Sequence, residues 1–246
     1  MIESFGASDV GCVRELNEDS FCIHVFDKEK EKGFFLIADG MGGHNAGEVA
    51  SQSVAAYIAD KLQEWICEKS TEDAPSILRG VIEGANEYVY KMSTESQAHS
   101  GMGTTIVAAV VCGKNLYVAN VGDSRAYCIH KNNISQLTVD HSVVAELVMR
   151  GTITKEEARC HPQKNIITRA VGTDAEVNVD IFEHKCAKGD TLLLCSDGLC
   201  SMLDDDNICE IVKSEKNSED TVCKLIDAAK MSGGLDNITV ICIRFV

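Results

Sequence analysis

Several features that would direct the reading of this chain are absent. Only two prolines occur in 246 residues, and no Gly/Ser-rich or Pro-rich run interrupts the sequence, so no linker is evident. No apolar run approaches the ~20 residues of a membrane span. The N-terminal MIESFGASDVG lacks both a basic start and a hydrophobic signal core, which leads us to expect a cytoplasmic protein. Positive charge is scarce: 38 Asp and Glu stand against 23 Lys and Arg, a formal charge of -15. That balance argues against broad contact with nucleic acid or anionic membrane, where basic patches are expected. The twelve cysteines include no C-x-x-C pair, so a zinc ribbon is not expected. Most lie inside apolar patterns, as at Cys22, Cys112, Cys128, Cys195 and Cys242, where reduced thiols behave as small hydrophobes.

What is present is an ordinary globular balance, 45% hydrophobic and 25% charged, with enough length for one large domain over residues 1–246. The stretch FFLIADGMGGHNAGEVAS, residues 34–51, organises the rest. Phe34 to Ile37 read as a buried strand that ends on Asp39 and a glycine turn, after which Ala50, Val54, Ile58 and Leu62 begin a helical face. Strands are expected at 4–8, 20–26, 33–38, 104–111, 115–121, 124–130, 133–137, 177–182, 190–195 and 238–245, and helices at 47–67, 75–93 and 218–231. Segment 140–175 is more irregular, with short helical pieces at 142–150 and 154–159. Hairpin-joined strands with helices in two blocks define an α+β layering: two packed antiparallel sheets with helices outside.

Asp39, Asp123 and Asp197 each stand beside a glycine at the edge of an apolar run, and Asp236 lies between Gly233-Gly234 and the strand starting at Ile238. Any one of them suits a turn. Four in the same setting suggest strand ends that meet, and such a cluster repels itself unless cations bind. Carboxylates with few His or Cys partners favour Mg²⁺ or Mn²⁺ over zinc. Two such ions about 3.5–4 Å apart lower the pKa of a bridging water and stabilise charge on a phosphoryl group. Arg14 is a candidate for gripping phosphate, or else a surface arginine paired with Glu15 or Glu18.

Six segments then occur in order: Arg14-x-x-Asn17-Glu18-Asp19, Asp39-Gly40-Met41-Gly42-Gly43-His44, Gly101-Met102-Gly103-Thr104-Thr105, Val121-Gly122-Asp123-Ser124-Arg125, Ser196-Asp197-Gly198 and Asp236-Asn237-x-Thr239. Together they resemble the metal-dependent PPM (type 2C) protein serine/threonine phosphatases, in their compact bacterial branch, across residues 6 to 240. The resemblance implies a four-layer αββα sandwich with metals in a cleft at one end. It implies that Asp39 bridges two core Mn²⁺ or Mg²⁺ ions, that the Gly40 carbonyl binds the first, and that Asp197 and Asp236 bind the second. Asp123 with Asp197 would hold a third. Glu18 and Asp19 would order metal-bound waters, Arg14 would hold the substrate phosphate, and 140–175 would form a flap beside the cleft. Many eukaryotic members carry a histidine directly after the Asp-Gly pair as general acid; Met41 stands there. His44 either reaches the substrate's leaving oxygen or bonds within its own loop.

The implied reaction is hydrolysis of phosphoserine and phosphothreonine on proteins by a metal-bridged hydroxide. The expected partners are phosphoproteins and, by analogy, a cognate serine/threonine kinase, with the chain acting as a monomer. Cysteine-based phosphatase chemistry is disfavoured, because no cysteine has an arginine six residues later. A P-loop is also absent, since Gly113-Lys114 is followed by Asn115. The alternatives are a catalytically inactive phosphoprotein-binding module, which would be expected to have lost some of these acids, and a phosphatase dedicated to one regulatory partner, which would be expected to carry an added sensor domain.

Overall fold

The structure is a computed structural model that describes residues 1–27, 32–42, 46–67 and 73–246. Strands β1 (Ile2–Asp9), β2 (Asp19–Asp27) and β3 (Lys32–Met41) lead into helices α1 (Ala46–Cys67) and α2 (Ala74–Glu95). Then follow β4 (Gly103–Thr104), β5 (Ile106–Cys112), β6 (Asn115–Val121), β7 (Arg125–His130) and β8 (Asn133–Gln136). Two short helices, α3 (Val143–Met149) and α4 (Lys155–Arg159), precede β9 (Asp180–Lys185) and β10 (Asp190–Cys195). The chain closes with α5 (Asp197–Cys200), α6 (Asp205–Ser214), α7 (Ser218–Met231) and β11 (Ile238–Phe245).

The strands form two antiparallel sheets. One has the order β1-β11-β10-β7-β8; the other has the order β2-β3-β5-β6-β9, with β4 attached to β3. Side-chain alternation assigns the layers. On β3, Phe34, Leu36 and Ala38 face α1 and α2, where they meet Val54, Ile58, Leu78 and Ile82. Phe35 and Ile37 point the other way, into a core between the sheets with Leu192, Leu194, Ile241 and Ile243. Leu193, Cys195 and Val240 face α6 and α7 and pack with Ile208, Val212, Val222 and Leu225. The result is the four-layer αββα sandwich. Near-continuous apolar runs such as β3, β5 and β10 are buried on both faces, so they read as unbroken hydrophobic segments.

Helix ends follow the expected chemistry. Pro75 lies in the first turn of α2, and Asn217 caps α7 by accepting from the Asp220 amide at 2.7 Å. Thr154 and Glu157 make a reciprocal capping box on α4.

Two expectations need correction. The strand expected at 177–182 lies at Asp180–Lys185, because ladder pairing with β6 begins only at Asp180 opposite Asn120. Val177 and Val179 produce the alternating pattern by packing on the α1–α2 side without joining the ladder. Helix α6 was not anticipated. It is short, and only Ile208, Cys209 and Val212 are buried along it, though Asp204 caps it by accepting from the Asn207 amide.

The segment between β8 and β9 is closed on itself by an isolated bridge from Ser142 to Ile167 and tied to the sandwich by one from Thr104 to Val171. Arg169 donates to a carboxylate oxygen of Asp180 at 2.9 Å.

Candidate metal centre

Strand register builds the centre. β2 and β3 pair so that Asp19 lies directly opposite Asp39. β10 ends at Cys195, and Asp197 follows at the start of α5. Asp236 precedes β11, the neighbour of β10, and Asp123 lies in the turn from β6 to β7. The two sheets therefore deliver their acids to the same end of the sandwich.

Hydroxyls and amides fix the positions. The Asp39 carbonyl accepts from the Thr105 amide and the Thr104 hydroxyl, each at 2.8 Å. Asp19 accepts from Ser196 at 2.8 Å and Thr239 at 2.6 Å through one carboxylate oxygen. Asn237 secures the loop that carries Arg14. Its side chain donates to the carbonyls of Val10 at 3.0 Å and Leu16 at 2.9 Å, and accepts from the Glu18 amide at 2.8 Å. Two glycines permit the close approach of backbones: a Cβ at Gly40 would run into the Gly47 carbonyl, and one at Gly198 into the Asn237 carbonyl.

The electrostatics are those of acids forced together. Burial, reinforced by Asp19, Asp197, Asp123 and Asp236, pushes the Asp39 carboxyl well above the usual range. Asp197 is likewise raised well above it, by burial and then by Asp123, Cys200 and Asp236. Burial raises Asp19 to about 6 against the pull of the Thr239 and Ser196 hydroxyls, and raises Asp123 to about 6 with help from Asp140. Glu18, at the rim, is raised chiefly by burial. Arg14 faces the group from the rim, donating to Asp236 at 2.8 Å while half of its side chain stays exposed, and the Arg125 guanidinium acts on Asp123.

The donor set fits hard divalent cations. It is made of carboxylate oxygens plus backbone carbonyls, and the second oxygen of Asp19 is buried without a hydrogen-bond partner among the described residues. Among the described residues, no three of these acids bring oxygens within 4.8 Å of one another. That spread suits ions such as Mg²⁺, which take one or two carboxylates each and complete their shell with water.

Asp39, Asp123, Asp197, Asp236, Asp19, Glu18 and Arg14 are thus brought to one end of the fold. His44 and its neighbours Gly43 and Asn45 lie outside the described residues. Sequence reasoning assigned no role to Ser196, Asn237 or Thr239, although all three sit inside the motifs it singled out. It also missed the support beneath Asp123. Arg125 grips Asp140 with two nitrogens, at 3.0 and 2.7 Å. His141 accepts the Gly122 amide at Nδ1 (3.0 Å), which leaves Nε2–H to donate to Asp180 at 3.1 Å. No spacing rule links 140 and 141 to 123, because the contact is made by the return of the chain after β8.

A two-sheet sandwich flanked by helices, with buried carboxylates gathered at one end, defines a class of divalent-cation proteins. The particular family follows from comparison. The profile of protein phosphatase 2C matches residues 5–147. Serine/threonine phosphatase stp of Listeria welshimeri is 39% identical over 237 residues, covering 96% of this chain and 93% of the relative. Protein phosphatase PhpP of Streptococcus pneumoniae is 35% identical over 235 residues, covering 95% and 93%. The crystal structure of serine/threonine phosphatase Stp1 from Staphylococcus aureus matches with a TM-score of 0.91 at 39% identity, over 100% of this chain and 96% of that one. The catalytic domain of serine threonine protein phosphatase PstP, solved in complex with 2 manganese ions, matches with a TM-score of 0.86 at 33% identity, over 99% and 97%. The chain belongs to the protein phosphatase 2C family.

Proposed function

We propose that this protein hydrolyses phosphoserine and phosphothreonine on other proteins, using two Mn²⁺ or Mg²⁺ ions and at times a third. The observation that carries the reading is the convergence of buried acids from both sheets, with Arg14 at their rim. A pair of divalent ions bound there supplies a water of lowered pKa and offsets charge on the phosphoryl group. In this reading Asp39 and the Gly40 carbonyl, with Asp197 and Asp236, hold the core ions, and Asp123 with Asp197 holds the third. Glu18 and Asp19 orient the water shell, Asp19 doing so from a side chain already fixed by Ser196 and Thr239. Arg14 turns from Asp236 to the substrate phosphate. Segment 140–175 borders the cleft as a flap and contributes to the choice of substrate.

The names of the relatives and the manganese in one of their structures support this reading, and the retention of every acid argues against an inactive binding module. By analogy the enzyme opposes a serine/threonine kinase, acting as a monomer in the cytoplasm from a single catalytic domain. No described helix is long and apolar enough to cross a membrane. The test is phosphate release from phosphoserine, phosphothreonine and phosphotyrosine peptides. Manganese-dependent release from the first two, abolished by EDTA and restored by manganese, is expected. Equal turnover with and without EDTA would refute the proposal.

A further inference from the structure

A second set of metal-ligand side chains lies at the opposite end of the sandwich. Cys128, His184 and Asp190 each offer one donor atom, and the three atoms lie within 4.8 Å of one another. They come from three strands in two sheets. β7 and β10 are neighbours in one sheet, with Asp190 opposite His130 and Leu192 opposite Cys128. His184 is on β9, the edge strand of the other sheet. Strand alternation turns all three toward the space between the sheets. Cys128 shares the parity of Ala126, Asp190 that of Leu192 and Leu194, and His184 that of Phe182, all of which pack in or against the inter-sheet core. Asp190 begins β10, whereas Asp197 lies two residues past its far end, about 20 Å away along an extended chain.

The carboxylate is held as a ligand would be. One Asp190 oxygen accepts the Ala187 amide at 2.7 Å, and the other makes a short contact with Nδ1 of His130. Such contacts orient a metal-binding carboxylate, and each oxygen keeps a further lone pair. Cys128 and Asp190 are buried, whereas His130 is half exposed.

We propose that Cys128, His184 and Asp190 form a structural zinc site that clamps the two sheets together, with water or the imidazole of His130 as fourth ligand. Thiolate, imidazole and carboxylate are zinc's donor types, whereas the all-oxygen centre at the other end suits harder ions. Tetrahedral zinc with bonds of about 2.0–2.3 Å sets its donors about 3.3–3.8 Å apart, so the side chains close by about 1–1.5 Å at most. Zinc displaces the Cys128 thiol proton to solvent, and no electron transfer is involved.

Cobalt(II) titration of the full chain tests this, because only a cysteine ligand gives a thiolate-to-cobalt charge-transfer band. One equivalent should produce that band, and one equivalent of zinc should erase it. The band should persist in Asp39→Asn and Asp197→Asn and vanish in Cys128→Ser, with manganese-dependent phosphatase turnover retained in the last. His184→Gln, at a half-buried position, provides a second variant and should weaken zinc binding by at least about 100-fold. Zinc should also raise the thermal midpoint of the wild type in the presence of saturating manganese, and should fail to do so in either variant. Absence of the band in the wild type, its survival in Cys128→Ser, or unchanged zinc affinity in His184→Gln overturns the proposal. Failure of phosphate release would leave these readouts intact, so the two proposals fail separately.

Discussion

Asn237 shows how much of the centre depends on a residue that does no chemistry. It is buried, and its amide closes three hydrogen bonds to the loop between β1 and β2. That loop delivers Arg14 and Glu18. Asn237→Ala should cost about 2–4 kcal/mol, at roughly 1 kcal/mol per bond plus a penalty for backbone groups left unpaired. Chemical denaturation would measure the loss. Activity should fall with it even under conditions where the variant is fully folded, because Arg14 and Glu18 lose their placement. Arg14→Ala differs: it leaves the loop in place and removes the charge proposed to meet phosphate in the ground state, so KM should rise several-fold while kcat changes less. An unchanged KM for a phosphothreonine peptide would remove Arg14 from the substrate site.

At the scale of elements, the turn from β6 to β7 depends on the chain that returns after β8. His141 bonds the Gly122 backbone and Asp180, and Arg125 bonds Asp140. His141→Ala should cost about 1–3 kcal/mol by leaving the buried Gly122 amide unpaired. It should also raise the metal concentration needed for half-maximal activity by freeing Asp123, with the plateau at saturating manganese less affected; equal metal dependence in variant and wild type would confine His141 to a structural part. The same elements mark what the sequence could reveal. The strands that end in acids were legible because each is a buried apolar run closed by an Asp near glycine, a signal local to a few residues. Convergence of those ends was not a local signal. It follows from the Asp19–Asp39 register and from β10 and β11 being neighbours, which the ordered motifs of a known family imply and no periodicity contains. Strand β9 slipped by three residues because Val177 and Val179 are buried without pairing. Asp140 and His141 were read only as part of an irregular polar segment, since their partners lie 15 to 39 residues away.

For the whole molecule, the centre is a fold-level liability: burial and mutual repulsion hold its acids above the usual carboxylate range. Asp19 and Asp123 titrate near 6 in the ion-free fold, against about 3.8 for an unperturbed Asp. Between those values the folded state holds protons that the unfolded chain has released, so stability falls as pH rises through that window and stays lower above it. A two-unit shift corresponds to roughly 2–3 kcal/mol for either group taken alone, and less than the sum for both because they share neighbours. Asp9 and Asp180, whose carboxyls are held below the usual range by Lys230, Gly11, His141 and Arg169, act with the opposite sign. The informative measurement is therefore a difference. In EDTA, Asp19→Asn should melt at a higher temperature than wild type at pH 7, and the gap should close as the pH is lowered to 4. Saturating manganese should raise the wild-type midpoint at pH 7 by mass action on the folded state alone. It should raise that of Asp39→Asn far less if Asp39 bridges the core ions as proposed. If Asp19→Asn is instead less stable than wild type at pH 7 in EDTA, the buried acids do not oppose folding, and the case for a cation-demanding centre loses its energetic basis.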